Sequence, residues 1–206
     1  MKNRFNTLLV GLLAATIAFA LPATRTASAA ESQPVLLIVP PVKIADPEYL
    51  ETRKALEAVG LKVEVAGKST ETATGYGDLK VKPDLAINDA KAERYSAVVV
   101  VGGEGTINNL WDDTGLRALL QDAATRKKLV AAICSGPVTL ARAGLLKNKA
   151  ATSFPDQGMI SALKEAGADY QTDAVVVDGN IVTGNGPDAS AAFGQKLATI
   201  LSNQHH

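Results

Sequence analysis

Short apolar runs alternate along this chain with polar segments whose apolar residues recur at helical spacing. Val35–Val39 reads as a buried strand, ended by Pro40 and Pro41. Asp46-Pro47 opens a helix, with Asp46 as cap and Pro47 in the first helical position. Tyr49, Leu50, Arg53, Leu56 and Val59 follow at helical spacing, and Gly60 ends the run. Leu61–Val65 is a second strand. Lys68–Asp84 is polar and reads as a loop or short hairpin, and Leu85–Tyr95 as a short helix. Ala97–Val101 is an apolar strand that runs into Gly102-Gly103-Glu104-Gly105. A helix over Asp112–Lys127 carries Leu116, Leu119, Leu120 and Ala123 on one face, and the strand Lys128–Ile133 leads straight into Cys134. Helices follow at Pro137–Leu146 and Gln157–Ala166. Ala174–Val177 and Ile181–Thr183 flank the turn Asp178-Gly179-Asn180, and Ala189–Leu201 is the last helix. Strands that are apolar throughout and alternate with helices predict an α/β domain whose mostly parallel sheet is covered on both faces. Sites in such sheets lie beyond the carboxyl ends of the strands. The loop after Val39, the glycines after Val101, and Cys134 all fall there.

The amino-terminal pattern is different. Lys2 and Arg4 precede an apolar stretch, Leu8–Leu21, and the small residues Ala27-Ser28-Ala29. That layout predicts a secretory signal peptide over residues 1–29 and a single exported domain over residues 30–206, periplasmic or secreted. An uncleaved anchor is the competing reading, but the stretch is shorter than the ~20 residues of a membrane span. The whole chain has 21 basic and 21 acidic residues; without Lys2, Arg4 and Arg25 the balance is 18 against 21, or −3. Neither nucleic acid nor an anionic membrane surface is an expected partner. Cys134 is the sole cysteine. Export favours disulfides, yet no internal one can form here, so the fold must rest on its core.

Two motifs fail on inspection. Gly67-Lys68-Ser69-Thr70 has Lys62 where a phosphate loop needs its first glycine, and Gly103-Glu104-Gly105 has Asn108 where a dinucleotide fingerprint needs its third. The only histidines are His205 and His206 at the carboxyl terminus. A Ser-His-Asp triad, a Cys-His dyad and an ordinary zinc site are therefore not expected within the domain, and no cofactor is implied. Acid–base chemistry would fall to a carboxylate.

Ala132-Ile133-Cys134-Ser135-Gly136 has the strand–nucleophile–helix outline of a nucleophile elbow, with Ala132 where glycine is usual. Such a turn holds the sulfur clear of the sheet. The following helix offers unpaired N–H groups and the positive end of its dipole, which predicts a lowered thiol pKa. The N–H of Ser135 and one from Gly102-Gly103 are placed to face a developing oxyanion. On the motif alone, a buried and unreactive cysteine is an equal reading.

The segment AAICSGPVTLARAGLLKNKAATSFPD resembles the nucleophile region of the PfpI/ThiJ family, whose usual phrase is Ala-Ile-Cys-His-Gly-Pro. VVVVGGEGTINNLWDD is similar to its glycine loop, and LKEAGADY and VVVDGNIVTGNGPDASAAF follow in the family's order, covering about Pro34–Leu201. The resemblance implies a flavodoxin-like three-layer α/β sandwich of the class I glutamine amidotransferase-like type, usually a dimer or larger oligomer, with a homodimer expected here. It implies Cys134 as nucleophile, Glu48 as the helix glutamate beside it, and the backbone of Gly103 and Ser135 as oxyanion donors. An enzyme of small reactive carbonyls, glyoxalase- or deglycase-like, is the implied activity. A cysteine hydrolase or hydratase of another small electrophile and a non-catalytic redox or stress protein are the alternatives. Ser135 stands where many members have histidine, so a protease is not expected. Asn185 replaces the arginine of the Ser-Arg-Gly-Pro phrase, which removes a positive charge from near the site. Trp111 and Tyr49 read as core or dimer residues.

Overall fold

The computed structural model describes residues 33–203; the expected leader over residues 1–29 and the terminal His205 and His206 lie outside them. In chain order the elements are β1 (Val35–Ile38), α1 (Asp46–Ala58), β2 (Val63–Gly67), β3 (Ala73–Thr74), β4 (Lys80–Val81), β5 (Leu85–Ala86), β6 (Ala97–Val100), α2 (Glu104–Asn109) and α3 (Thr114–Thr125). The chain continues through β7 (Leu129–Ile133), α4 (Pro137–Arg142), β8 (Ala150–Ala151), α5 (Gln157–Glu165), β9 (Asp169–Tyr170), β10 (Val175–Asp178), β11 (Ile181–Gly184) and α6 (Ser190–Asn203). Seven strands form one sheet in the order β10-β11-β7-β6-β1-β2-β5. Every pairing in it is parallel except the β10–β11 hairpin.

The pleat divides the core in two. Leu36, Ile38, Val98, Val100, Val130 and Ala132 face one side, against Leu116, Leu119 and Leu120 of α3, Val138 and Leu140 of α4, and Leu163 of α5. Val35, Leu37, Val39, Val99, Val101, Ala131 and Ile133 face the other, against Tyr49 and Leu56 of α1 and Phe193, Leu197 and Leu201 of α6. This is the three-layer α/β sandwich expected from the apolar runs. Helices α1 and α6 approach closely because Gly194 has no side chain: a Cβ there would lie 2.9 Å from Glu51 O and 3.0 Å from Ala55 Cβ. That contact fixes the height of α1 above the sheet.

Three local expectations are corrected. Leu85–Tyr95 is not a helix. Leu85 and Ala86 pair in parallel with Ala66 and Gly67, and two 3₁₀ turns follow, Ile87–Asp89 and Ala92–Arg94. Ile87, Ala90, Ala92 and Tyr95 are buried beside α3, so the apolar spacing is real but is met by turns. Asp46 does not cap α1. Ala45 is the cap residue, and both Asp46 carboxylate oxygens accept from the β3–β4 turn, from Tyr76 N and Gly77 N at 2.9 Å each. Helix α3 begins two residues later than expected because Asp113 caps it, accepting from Leu116 N at 2.8 Å.

Candidate active site

Strand β7 ends at Ile133 and the chain reverses at Cys134, whose φ is 64°. A non-glycine residue in this left-handed region is strained, and surrounding bonds must hold it there. Cys134 N donates to Gly184 O at 2.9 Å, Cys134 O accepts from Phe154 N at 3.0 Å, and Gly136 N donates to Ile133 O at 2.8 Å. Pro137 then starts α4. Ser135 is buried and its hydroxyl donates to Gly103 O at 2.9 Å. The indole N–H of Trp111 donates to Ser135 O at 2.8 Å, so Trp111 braces the elbow as well as packing on the core. The place of the family histidine is thus taken by a hydroxyl committed to the backbone.

Helix α1 carries Glu48 in its first turn, fully buried. Its Oε2 accepts from Gly102 N at 2.9 Å, while Oε1 has no hydrogen-bond donor among the described residues. Gly102 is the hinge of the arrangement. A Cβ there would lie 2.6 Å from Cys134 Cβ and 2.7 Å from Glu48 Oε2, so only glycine lets the cysteine and the glutamate share one space. The two neighbouring amides divide their work: Gly102 N–H holds Glu48, and the N–H groups of Gly103 and Ser135 hydrogen-bond the Cys134 sulfur.

Burial pushes the Glu48 carboxyl up to about 7, against the smaller opposing pulls of its bonds to Cys134 and Gly102. Burial also pushes the Cys134 thiol up to about 12, aided by the Glu48 charge beside it, while the Gly103 and Ser135 amides pull it down. The lowered thiol pKa expected from the elbow is therefore corrected. The N–H groups do act as expected, but desolvation and the adjacent carboxylate outweigh them. Two anions cannot share this space, so from about pH 7 up to the thiol's alkaline step the pair holds one proton between oxygen and sulfur. Thiolate exists when that proton sits on Glu48.

Cys134 lies at the floor of a cavity of about 370 Å³ walled by Ala45, Tyr76, Gly103, Glu104, Ile107, Ser135, Phe154, Met159 and Pro187. Asn185 does not line it; that residue borders a neighbouring hollow beyond Phe154. A larger hollow of about 750 Å³ lies at the amino ends of the strands, beside Gln33, Leu61 and Arg94, far from the thiol. Among the described residues no group of three or more His, Cys, Asp and Glu stands together as metal ligands would. The elbow pattern named Cys134, Gly103 and Ser135 and the family resemblance named Glu48, and the structure brings all four together. It missed Tyr76, Phe154 and Met159, whose segments reach the site only through tertiary contacts. A sequence-level hint existed for Tyr76 alone, an aromatic residue between two glycines in an otherwise polar segment.

The sequence profile of the DJ-1/PfpI family matches residues 33–200, a span that contains every residue of this site. The chain belongs to that family. It is 40% identical over 171 residues to the uncharacterized protein MJ0967 of Methanocaldococcus jannaschii, covering 83% of each chain. It is 27% identical over 172 residues to the glutathione-independent glyoxalase DJR-1.2 of Caenorhabditis elegans, covering 84% of this chain and 90% of that one. The crystal structure of a ThiJ/PfpI domain protein from Brachyspira murdochii superposes with a TM-score of 0.80 at 32% identity, over 84% of this chain and 98% of that one. Membership accounts for the strand order and the elbow.

Proposed function

We propose that this protein is a cysteine-dependent enzyme that converts small reactive carbonyl compounds, of which a 2-oxoaldehyde is the simplest case. The observation that carries the reading is the buried Cys134–Glu48 pair at the floor of a cavity, with the Gly103 and Ser135 amides at the sulfur. The name of the glyoxalase relative supports it.

With the proton on Glu48, the thiolate adds to the aldehyde carbon, C1. Its oxygen, O1, takes up charge facing the Gly103 and Ser135 amides and receives the Glu48 proton. Glu48, now a carboxylate, removes the C1 hydrogen as a proton, and the electron pair it leaves moves into the C1–C2 bond, giving an enediolate with its charge on O2. Return of that proton to C2 and passage of the O1 proton to O2 leave C1 as a thioester and C2 as an alcohol. C1 is oxidised and C2 reduced, so no external oxidant enters. Water then cleaves the thioester, releasing a 2-hydroxy acid and restoring the thiol. The test is methylglyoxal consumption by pure protein. Cys134→Ala is expected to bring it to the buffer rate, and consumption unchanged by that substitution overturns the reading.

A redox role is favoured by one observation, the ring of donors around the sulfur, which would also stabilise an oxidised cysteine. Intact mass after mild peroxide separates it: oxygen gain on Cys134 without carbonyl turnover supports that role instead. We also propose that the protein works after export, as a homodimer. The leader-like pattern of residues 1–29 supports the first and the family resemblance the second. Fractionation and light scattering test them, and a cytoplasmic or monomeric protein overturns each in turn.

A further inference from the structure

The wall of the Cys134 cavity has an uneven chemistry. Ile107, Phe154, Met159 and Pro187 make it largely apolar. No lysine or arginine lines it, and its one carboxylate, Glu104, is held by Lys43 at 2.7 Å. An anionic substituent would meet apolar carbon and a carboxylate, and the nearby Lys43 is already paired with that carboxylate.

One side-chain hydroxyl in the wall is uncommitted. Ser135 gives its proton to Gly103 O. Tyr76 differs: its oxygen accepts from Glu104 N at 2.9 Å, and among the described residues its own O–H proton has no acceptor. A phenol both accepts and donates, so that proton is available to a ligand. Glu104 N is the amide next to Gly103 N, which faces the sulfur, so the Tyr76 hydroxyl stands one peptide along from the donors to O1. The tyrosine is held in place from below. Asp46 takes both Tyr76 N and Gly77 N, tying the β3–β4 turn to the same helical turn that carries Glu48.

We propose that Tyr76 is a catalytic residue that donates its hydroxyl to the second carbonyl oxygen, O2, of a neutral 2-oxoaldehyde bearing an apolar substituent, the substituent lying against Ile107, Phe154 and Met159. This rests on the carbonyl-converting reading above. When Glu48 takes the C1 proton, the electron pair moves into the C1–C2 bond and negative charge develops on O2. The Tyr76 O–H then stabilises that charge, and no further reactant is needed. A cavity of about 370 Å³ suits a substrate of phenylglyoxal size.

The experiment compares the purified protein and Tyr76→Phe on phenylglyoxal, methylglyoxal and 4-carboxyphenylglyoxal, with Cys134 alkylation by neutral iodoacetamide alongside. Loss of one oxyanion donor in other enzymes lowers kcat by about 10²–10³. For this solvent-exposed tyrosine the expected fall is about tenfold to a hundredfold in kcat, with KM for phenylglyoxal within about twofold and the alkylation rate unchanged. Phenylglyoxal is expected to exceed its carboxylated analogue at least about tenfold in kcat/KM, since the added carboxylate finds no partner in the wall. Turnover by Tyr76→Phe equal to the parent, a joint fall of turnover and alkylation, or equal use of the carboxylated substrate overturns this inference alone. Absence of any Cys134-dependent turnover overturns the reading beneath it as well.

Discussion

At the residue scale, the site depends on what is absent from Gly102. A methyl group there meets Cys134 Cβ on one side and Glu48 Oε2 on the other, both closer than any relaxed contact. Gly102→Ala is expected to abolish carbonyl turnover and to cost about 1–3 kcal/mol of stability, as over-packing does elsewhere. Urea denaturation and an activity assay on the same preparation check both. Cys134, Ser135 and Gly103 were visible because their chemistry is written locally, as a cysteine between a strand and a Ser-Gly-Pro turn and as glycines after a buried strand; Glu48 was named through the family resemblance, since an acid in a first helical turn also has a plain use in stabilising the helix. The direction of the thiol's titration was not visible. A helix amino terminus can be read from a sequence, but the burial that outweighs it cannot, because desolvation is set by the residues that fold over the site.

At the scale of elements, α1 carries two carboxylates with opposite tasks. Glu48 points into the core, and Asp46, two residues earlier, reaches out to the β3–β4 turn. The sequence pattern assigned Asp46 to capping, a reasonable use of an Asp-Pro pair, because its true partners lie some thirty residues away. Asp46→Ala is expected to free the turn and with it Tyr76. It should cost about 1–2 kcal/mol for the lost charge-assisted bonds. Proteolysis within residues 73–81 should quicken, and KM for phenylglyoxal should rise. Unchanged cleavage in that segment would show that the turn is held by something else. Gly194→Ala acts on the same helix from the opposite side. Its methyl meets Glu51 O and Ala55, so α1 must shift and take Glu48 with it. The strands and long helices were legible because their apolar period is unambiguous. Leu85–Tyr95 was not, since its apolar spacing suits a helix and a pair of 3₁₀ turns equally well.

At the scale of the whole molecule, the site draws on folding stability. Glu48 rises from 4.5 to about 7 when the chain folds, so between those values the folded state binds more protons than the unfolded state. The folded state's advantage is therefore fully present below about 4.5 and is lost as pH rises to about 7. At 1.36 kcal/mol per pH unit the loss is about 3 kcal/mol. Glu48→Gln keeps an oxygen for Gly102 N and carries no charge to bury. It is expected to flatten this dependence and to be more stable than the parent at pH 8, while losing activity. Denaturant titrations at pH 5 and pH 8 check it, and a parent whose stability is level across that range would contradict the burial of an ionised Glu48. The two-layer division of the core was readable in advance from the apolar strands. The cavity was not, because its wall is drawn from six separate segments of chain that only the completed fold brings together.

The central claim is that Cys134 and Glu48 share one proton, and the rate of Cys134 alkylation against pH tests it most directly. The parent protein is predicted to show a first rise near pH 7, where the pair loses its first proton, and a second rise only at strongly alkaline pH. Removing the Glu48 charge lowers the thiol pKa, so Glu48→Gln is predicted to show a single titration well below the parent's alkaline step. Parent and Glu48→Gln profiles that superpose would mean that the two groups titrate independently, and the proposed chemistry would lose its foundation.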